Sequence, residues 1–205
     1  MNAEGCLVEE ASGGELETMS MVALHYVMDA RASRFTVQVF ATGVLAAMGH
    51  NPLIGIRDFS GEVNFSSETL EGNSFHISIK SSSLSVQSEI SDKDRREIER
   101  LMNEQVLETA KYPEIVFDVP SFAATKMGDS LYSADLLGNL TLHGVTNRQP
   151  VTARVAVFGD MLRASGDFTL SQTDYQMKLV SVAGGALKLR NDLKFSFEIV
   201  ARKQG

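Results

Sequence analysis

The sequence predicts an all-β fold, an extended antiparallel barrel of eight to nine strands with one amphipathic helix at about 91–110. Three observations carry this. Apolar residues recur at every second position through most of the chain, which places them on one face of a strand and the polar residues on the other. One segment alone switches to helical spacing. No strand–helix–strand alternation of the kind that builds a parallel sheet runs through the chain.

Residues 1–22 read as a flexible acidic leader, with Glu4, Glu9, Glu10, Glu15 and Glu17 and no Lys or Arg in its first 18 positions. Residues 23–205 read as one barrel domain. Leu24 to Ala30 suits a first strand. Arg34 to Ala41 is a clear second one: Phe35, Val37 and Val39 alternate with Thr36 and Gln38, and Phe40 interrupts the polar face. Small residues from Gly43 to Pro52 form a connection. Phe59, Gly61, Val63 and Phe65 then alternate with Ser60, Glu62 and Asn64, and Phe75, Ile77 and Ile79 alternate with His76, Ser78 and Lys80.

The change of period follows. Ser91 precedes Asp92, Lys93 and Asp94, a helix N-cap with acids in the first turn. Ile98, Leu101, Met102, Gln105 and Val106 fall on one helical stripe, and the helix ends before Tyr112-Pro113. A single apolar stripe packs on something, here the sheet or the mouth of a barrel. Strands resume from Glu114 to Phe122, from Tyr132 to Leu142, through Val151, Val155 and Val157, and from Leu162 to Leu170, with Gly159-Asp160 as a tight-turn signal. An irregular stretch from Ser171 to Ala186 leads to the longest alternation. Leu187, Leu189, Leu193, Phe195, Phe197 and Ile199 face Lys188, Arg190, Asp192, Lys194, Ser196 and Glu198, broken once at Asn191.

Strands of period two serve a sandwich as well as a barrel. Closure removes exposed edges, and about eight strands leave room for side chains or one small ligand. Gly61, Gly138 and Gly166 suit the bends of a coiled barrel strand.

Composition narrows the function classes. The net charge of −7 has no offsetting cationic cluster, since Lys93, Arg95 and Arg96 are interleaved with acids. Nucleic acid is therefore not expected as a partner. No stretch approaches the roughly 18 consecutive apolar residues of a membrane helix, so no stable membrane insertion is expected. The first residues lack the features of a secretory signal, and the single cysteine, Cys6, forms no intrachain disulfide. The expected location is cytoplasmic. A homodimer is compatible with these properties. No nucleophile elbow, phosphate-cradling loop or zinc-protease motif occurs. Ser171, Asp174 and His143 are the right types for a triad, but nothing local brings them together. No catalytic role is expected, and with no convergent ligand spacing no metal is expected.

The inward apolar set has two readings. It fills its own core, or it lines a space too wide to fill. The candidate lining is Val37, Val39, Phe59, Phe65, Phe75, Ile77, Phe117, Leu136, Leu140, Val155, Phe168, Phe195 and Phe197. A chain of methylenes entering such a space gains roughly 0.8 kcal/mol per buried group.

Three strings carry a resemblance. They are Tyr112-Pro-Glu-Ile-Val-Phe117; Gly138-Asn-Leu-Thr-Leu-His-Gly-Val-Thr146 with Val151; and Gly166-Asp-Phe-Thr-Leu-Ser-Gln-Thr-Asp-Tyr175 with Val182-Ala-Gly-Gly185. In this order they resemble the YceI-like family of polyisoprenoid-binding proteins, over roughly Leu24 to Arg202. The resemblance implies an extended, lipocalin-like barrel with a helix beside it, holding an amphiphilic isoprenoid chain. The expected function is non-enzymatic binding, sequestration or transport of an isoprenoid- or quinone-type lipid, the ligand and partner, with no further cofactor. Many relatives carry a secretory signal, which this sequence does not show. Candidates near the lipid head group are His50, Arg57 and His143. Arg57 also suits an ordinary rim pair with Asp58. The alternative function is an interaction or stress-response module with a filled core and no lipid.

Overall fold

The computed structural model describes residues 23–42, 51–70, 72–182 and 187–205. The leader, His50 and the Val182–Gly185 string's glycines lie outside them. The strands in chain order are β1 (Leu24–Met28), β2 (Arg34–Thr42), β3 (Leu53–Ile56), β4 (Phe59–Phe65), β5 (Asn73–Lys80) and β6 (Leu84–Val86). Helix α1 (Asp92–Leu101) follows. Then come β7 (Glu114–Lys126), β8 (Leu131–Leu142), β9 (Val145–Phe158), β10 (Met161–Ser171), β11 (Ser181–Val182) and β12 (Leu187–Lys203).

Eight of these strands close a ring, in the order β1-β4-β5-β7-β8-β9-β10-β12 and back to β1, every pair antiparallel. The sequence predicts eight to nine strands. The extra ones arise because long strands are interrupted. β1 and β2 run along the same edge of β12, separated by a turn at Asp29, whose Oδ1 accepts the backbone N–H groups of Arg31 (3.1 Å) and Ala32 (3.2 Å). β2, β3 and β6 then continue as a flap above the ring.

Breaks in alternation mark bulges. Asn191, the one interruption in the last strand, sits where the β12–β2 register shifts between Leu189 and Leu193. Its side chain is used there: Oδ1 accepts from Thr173 N (2.9 Å), and Nδ2 donates to Ser171 Oγ (2.7 Å). In β7 the register shifts between Asp118 and Ala123, around Pro120, which has no N–H to give to a ladder. The β8–β9 hairpin turns on His143 and Gly144, both left-handed at φ 52° and 74°. That is the twist-matched geometry of a two-residue hairpin loop.

The helix begins as predicted. Ser91 Oγ accepts the Asp94 N–H (3.1 Å) and donates to Asp94 Oδ2 (2.7 Å). α1 ends in a single π-helical turn, Met102–Val106. It lies at the end of the barrel reached by the β8–β9 hairpin, here called the upper end. At the lower end Tyr26, Phe65, Val119 and Leu162 are almost fully buried, and Phe65 and Leu162 border the space above them.

Candidate ligand cavity

Alternation along each strand sends every second side chain inward, and at the upper level these side chains fail to meet. They enclose a cavity of about 340 Å³, within the range of small-molecule sites. Twelve of the thirteen predicted lining residues border it: Val37, Val39, Phe65, Phe75, Ile77, Phe117, Leu136, Leu140, Val155, Phe168, Phe195 and Phe197. Phe59 is buried but stands behind the wall, edge-on to Phe35 at 4.8 Å between ring centres. Phe168 and Phe195, paired across β10 and β12, stack at 4.9 Å with their planes 9° apart. The Phe117 ring lies over Gly138 and the Phe197 ring over Gly166, where an added Cβ would collide with the ring. Those glycines let two large rings lie flat along the wall.

Three parts of the lining were not legible as such. Ile98, Leu101, Met102, Val106 and Leu107 form the wall between β6 and β7. Their helical stripe is plain in the sequence, but its destination is not. Met177 and Val180 come from the irregular stretch, which carries no periodic signal. Gln172 opens a 3₁₀ turn (Gln172–Tyr175) and is buried on the wall, its Nε2 donating to Arg190 O at 2.8 Å.

The chemistry of the lining is narrow. Among the described residues, only Gln149, Gln172 and Ser196 are polar, and no ionisable side chain borders the cavity. Arg57 lies outside it, on the exposed β3–β4 junction, where its Nε donates to Ser85 Oγ (2.7 Å). His143 is buried away from the cavity, its ring 4.4 Å from that of Tyr112. One ring nitrogen, Nδ1, is 3.2 Å from Tyr175 O, and the other, Nε2, is 2.6 Å from Glu108 Oε2. Both ring nitrogens face oxygens. The hydrogen bond from His143, aided by the charges of His143, Lys111 and Lys178, holds the Glu108 carboxyl below its ordinary pKa, against a smaller opposing effect of desolvation. The cluster ties the exit of the helix to the β8–β9 hairpin. The His143 ring nitrogens are thus directed at Tyr175 and Glu108, while Ser171 Oγ accepts from Asn191 Nδ2.

On the outer wall, His76 Nδ1 is 3.1 Å from Asp118 and His25 Nε2 is 3.7 Å from Glu62, exposed cross-strand pairs of the weak kind. Among the described residues no three His, Cys, Asp or Glu side chains converge as a metal site. No helix among them is long and apolar enough to cross a membrane.

The YceI-like domain matches residues 26–201. A UPF0312 protein of Pseudomonas savastanoi pv. phaseolicola is 28% identical over 191 residues, covering 89% of each chain. Protein YceI of Salmonella arizonae is 30% identical over 143 residues, 69% of this chain and 66% of its own. Among solved structures, BcnA of Burkholderia cenocepacia superposes with a TM-score of 0.64 at 16% identity, over 84% of this chain and 98% of that one. A structure described as a polyisoprenoid binding domain from Saccharophagus degradans gives 0.64 at 16% identity, over 88% and 99%. At that identity these structures speak for the fold.

Proposed function

This chain belongs to the YceI-like family, and on that footing we propose that it binds an amphiphilic lipid of the isoprenoid or quinone type in its barrel interior, sequestering or carrying it without chemical change. The observation that carries this reading is the cavity: about 340 Å³, walled by apolar side chains with three polar exceptions among the described residues. Such a space suits a hydrocarbon tail. Each methylene moved from water into it contributes roughly 0.8 kcal/mol, so a long prenyl chain outweighs the entropy lost on binding. An ionised head group inside would cost several kcal/mol without a partner. The tail therefore occupies the interior, and the head lies beyond the apolar wall. The twelve wall residues from Val37 to Phe197 are the proposed contacts, acting through shape. The Saccharophagus degradans domain, described as polyisoprenoid-binding, supports the choice of ligand class. The proposed location is cytoplasmic, in keeping with a chain holding the single cysteine Cys6.

The test is mass spectrometry of an organic extract of protein purified without detergent. A prenyl lipid recovered in near-equal amount to the chain supports the proposal. An extract free of apolar molecules, from protein that also takes up no added geranylgeraniol, contradicts it and favours an interaction module.

A further inference from the structure

The closed ring poses a problem for any guest. Its strands are joined by backbone hydrogen bonds, and parting them would strip many N–H and C=O groups of partners at once. Among the described residues the ladder stops short in two places: β9 and β10 pair only over Arg154–Phe158 and Met161–Ser165, with no α-helix across that gap, and a second interval, between β6 and β7, has a helix in it. β5 and β7 pair as far as Lys80 and Glu114, and Ser81 still donates from N to Pro113 O (2.9 Å) and from Oγ to Tyr112 O (2.7 Å). Above that fork, β6 turns to β3, and no strand pairs with its other edge among the described residues. Helix α1 stands in the gap.

The helix is held unevenly. Its ten residues include none that is buried. At its front it is fastened to the β6 edge by two side chains acting as a substitute strand: Glu99 Oε1 accepts the Val86 N–H (2.9 Å), while the Arg95 guanidinium donates to Val86 O and to Ser88 O (3.2 Å at the latter). At its back the chain is anchored. Val106 and Leu107 are buried, Tyr112 N donates to Glu108 O (2.9 Å), and Glu108 is bonded to His143. Between the two lies the π turn, a form that recurs at functional positions. Within it Asn103 Oδ1 is buried without a hydrogen-bond partner, a cost carried by the closed arrangement and relieved on exposure to water.

We propose that the lipid passes in and out of the barrel sideways, through the fork between β6 and β7, as α1 swings away about the π turn at Met102–Val106, and that Arg95 and Glu99 hold this gate shut. The inference rests on the proposed lipid binding. It adds a route to it and a pair of residues that control its rate. Swinging outward exchanges the three hydrogen bonds of Arg95 and Glu99 for water and exposes the stripe of Ile98 and Leu101, while the ring and the anchored His143–Glu108 corner stay intact.

The test loads the full-length protein with pyrene-labelled geranylgeraniol and follows transfer to phosphatidylcholine vesicles. In the double variant Arg95→Leu, Glu99→Leu, loading and release both speed up about tenfold while Kd changes less than twofold. Gly159→Ala, in the lower hairpin, serves as a control that lowers stability and leaves both rates unchanged. Unchanged rates in the double variant, with wild-type binding intact, overturn the gate and spare the binding proposal. A wild-type protein that takes up no probe overturns both. Hydrogen exchange on the unmodified protein gives a second readout should the variant fail to fold. The α1 amides exchange faster than those of β12 and slow on loading; equal protection, unmoved by the probe, overturns the gate.

Discussion

Replacing Ala153 with leucine separates a hollow barrel from a filled one by the sign of the effect. Ala153 is 5% exposed, pairs with Ala134 across β8 and β9, and borders the cavity. Leucine adds three carbons. Entering an empty space of about 340 Å³, they contribute roughly 0.8 kcal/mol each, about 2.4 in total. Fixing the leucine rotamer costs about 0.5–1 kcal/mol. The net is a stabilisation of about 1.5 kcal/mol. In a packed core the same carbons would have nowhere to go, and overpacking would cost about 1–3 kcal/mol. The three carbons also displace ligand. At the same worth per carbon, geranylgeraniol binding weakens by about 2.4 kcal/mol, roughly fiftyfold. Urea unfolding gives the first quantity and equilibrium binding of tritiated geranylgeraniol the second. A variant less stable than the wild type by about 1 kcal/mol or more, with affinity untouched, would mean that the space beside Ala153 is filled.

Removing wall gives the complementary result. Phe168→Ala should cost about 2 kcal/mol, less than the 3–5 kcal/mol of a fully packed ring because one side already faces the cavity; part of the loss is the stacking on Phe195. Preference should shift toward longer prenyl alcohols in a chain-length series, and a full-sized loss with unchanged preference contradicts the assignment. The lowered Glu108 pKa makes a pH prediction of definite sign. Its contribution is complete above the ordinary carboxylate pKa and disappears as pH falls through the lowered folded value. Urea midpoints should therefore drop on acidification through that window in the wild type and change less in Glu108→Gln; parallel profiles would rule this out. Two hairpin glycines should differ. Gly159→Ala meets nothing within 4 Å and costs only the roughly 1–2 kcal/mol of left-handed backbone, whereas in Gly144→Ala the new Cβ also falls 2.5 Å from the Tyr112 ring, so its unfolding midpoint should fall further.

Strands were legible where they were long enough to show alternation. β4 and β12 stand out in the residues alone, and even the Asn191 break in the latter marks a real bulge. β3, β6 and β11 were not legible, because runs of four, three and two residues carry no period and are made strands only by their partners. Which side chains point inward follows from period two. How far apart the opposing walls stand does not, so the cavity was open to two readings until the ring closed. Phe59 alternates like its neighbours, yet the Phe35 ring it packs against, and not Phe59 itself, borders the cavity. For His143, the turn is written in His-Gly, but its partner Glu108 lies 35 positions away and arrives through the path of the helix. Likewise the stripe of α1 announces a packed face without saying that it replaces a missing stretch of barrel wall.

The barrel encloses a space that its own side chains leave free, and a hydrocarbon chain is proposed to occupy it. A crystal structure of the protein grown with geranylgeraniol tests this proposal most directly. Continuous tubular density should run from the Phe168–Phe195 pair toward Met102, with the wall residues in place around it. Side chains closed across that volume, with the alcohol absent or bound only on the outer surface, would contradict it.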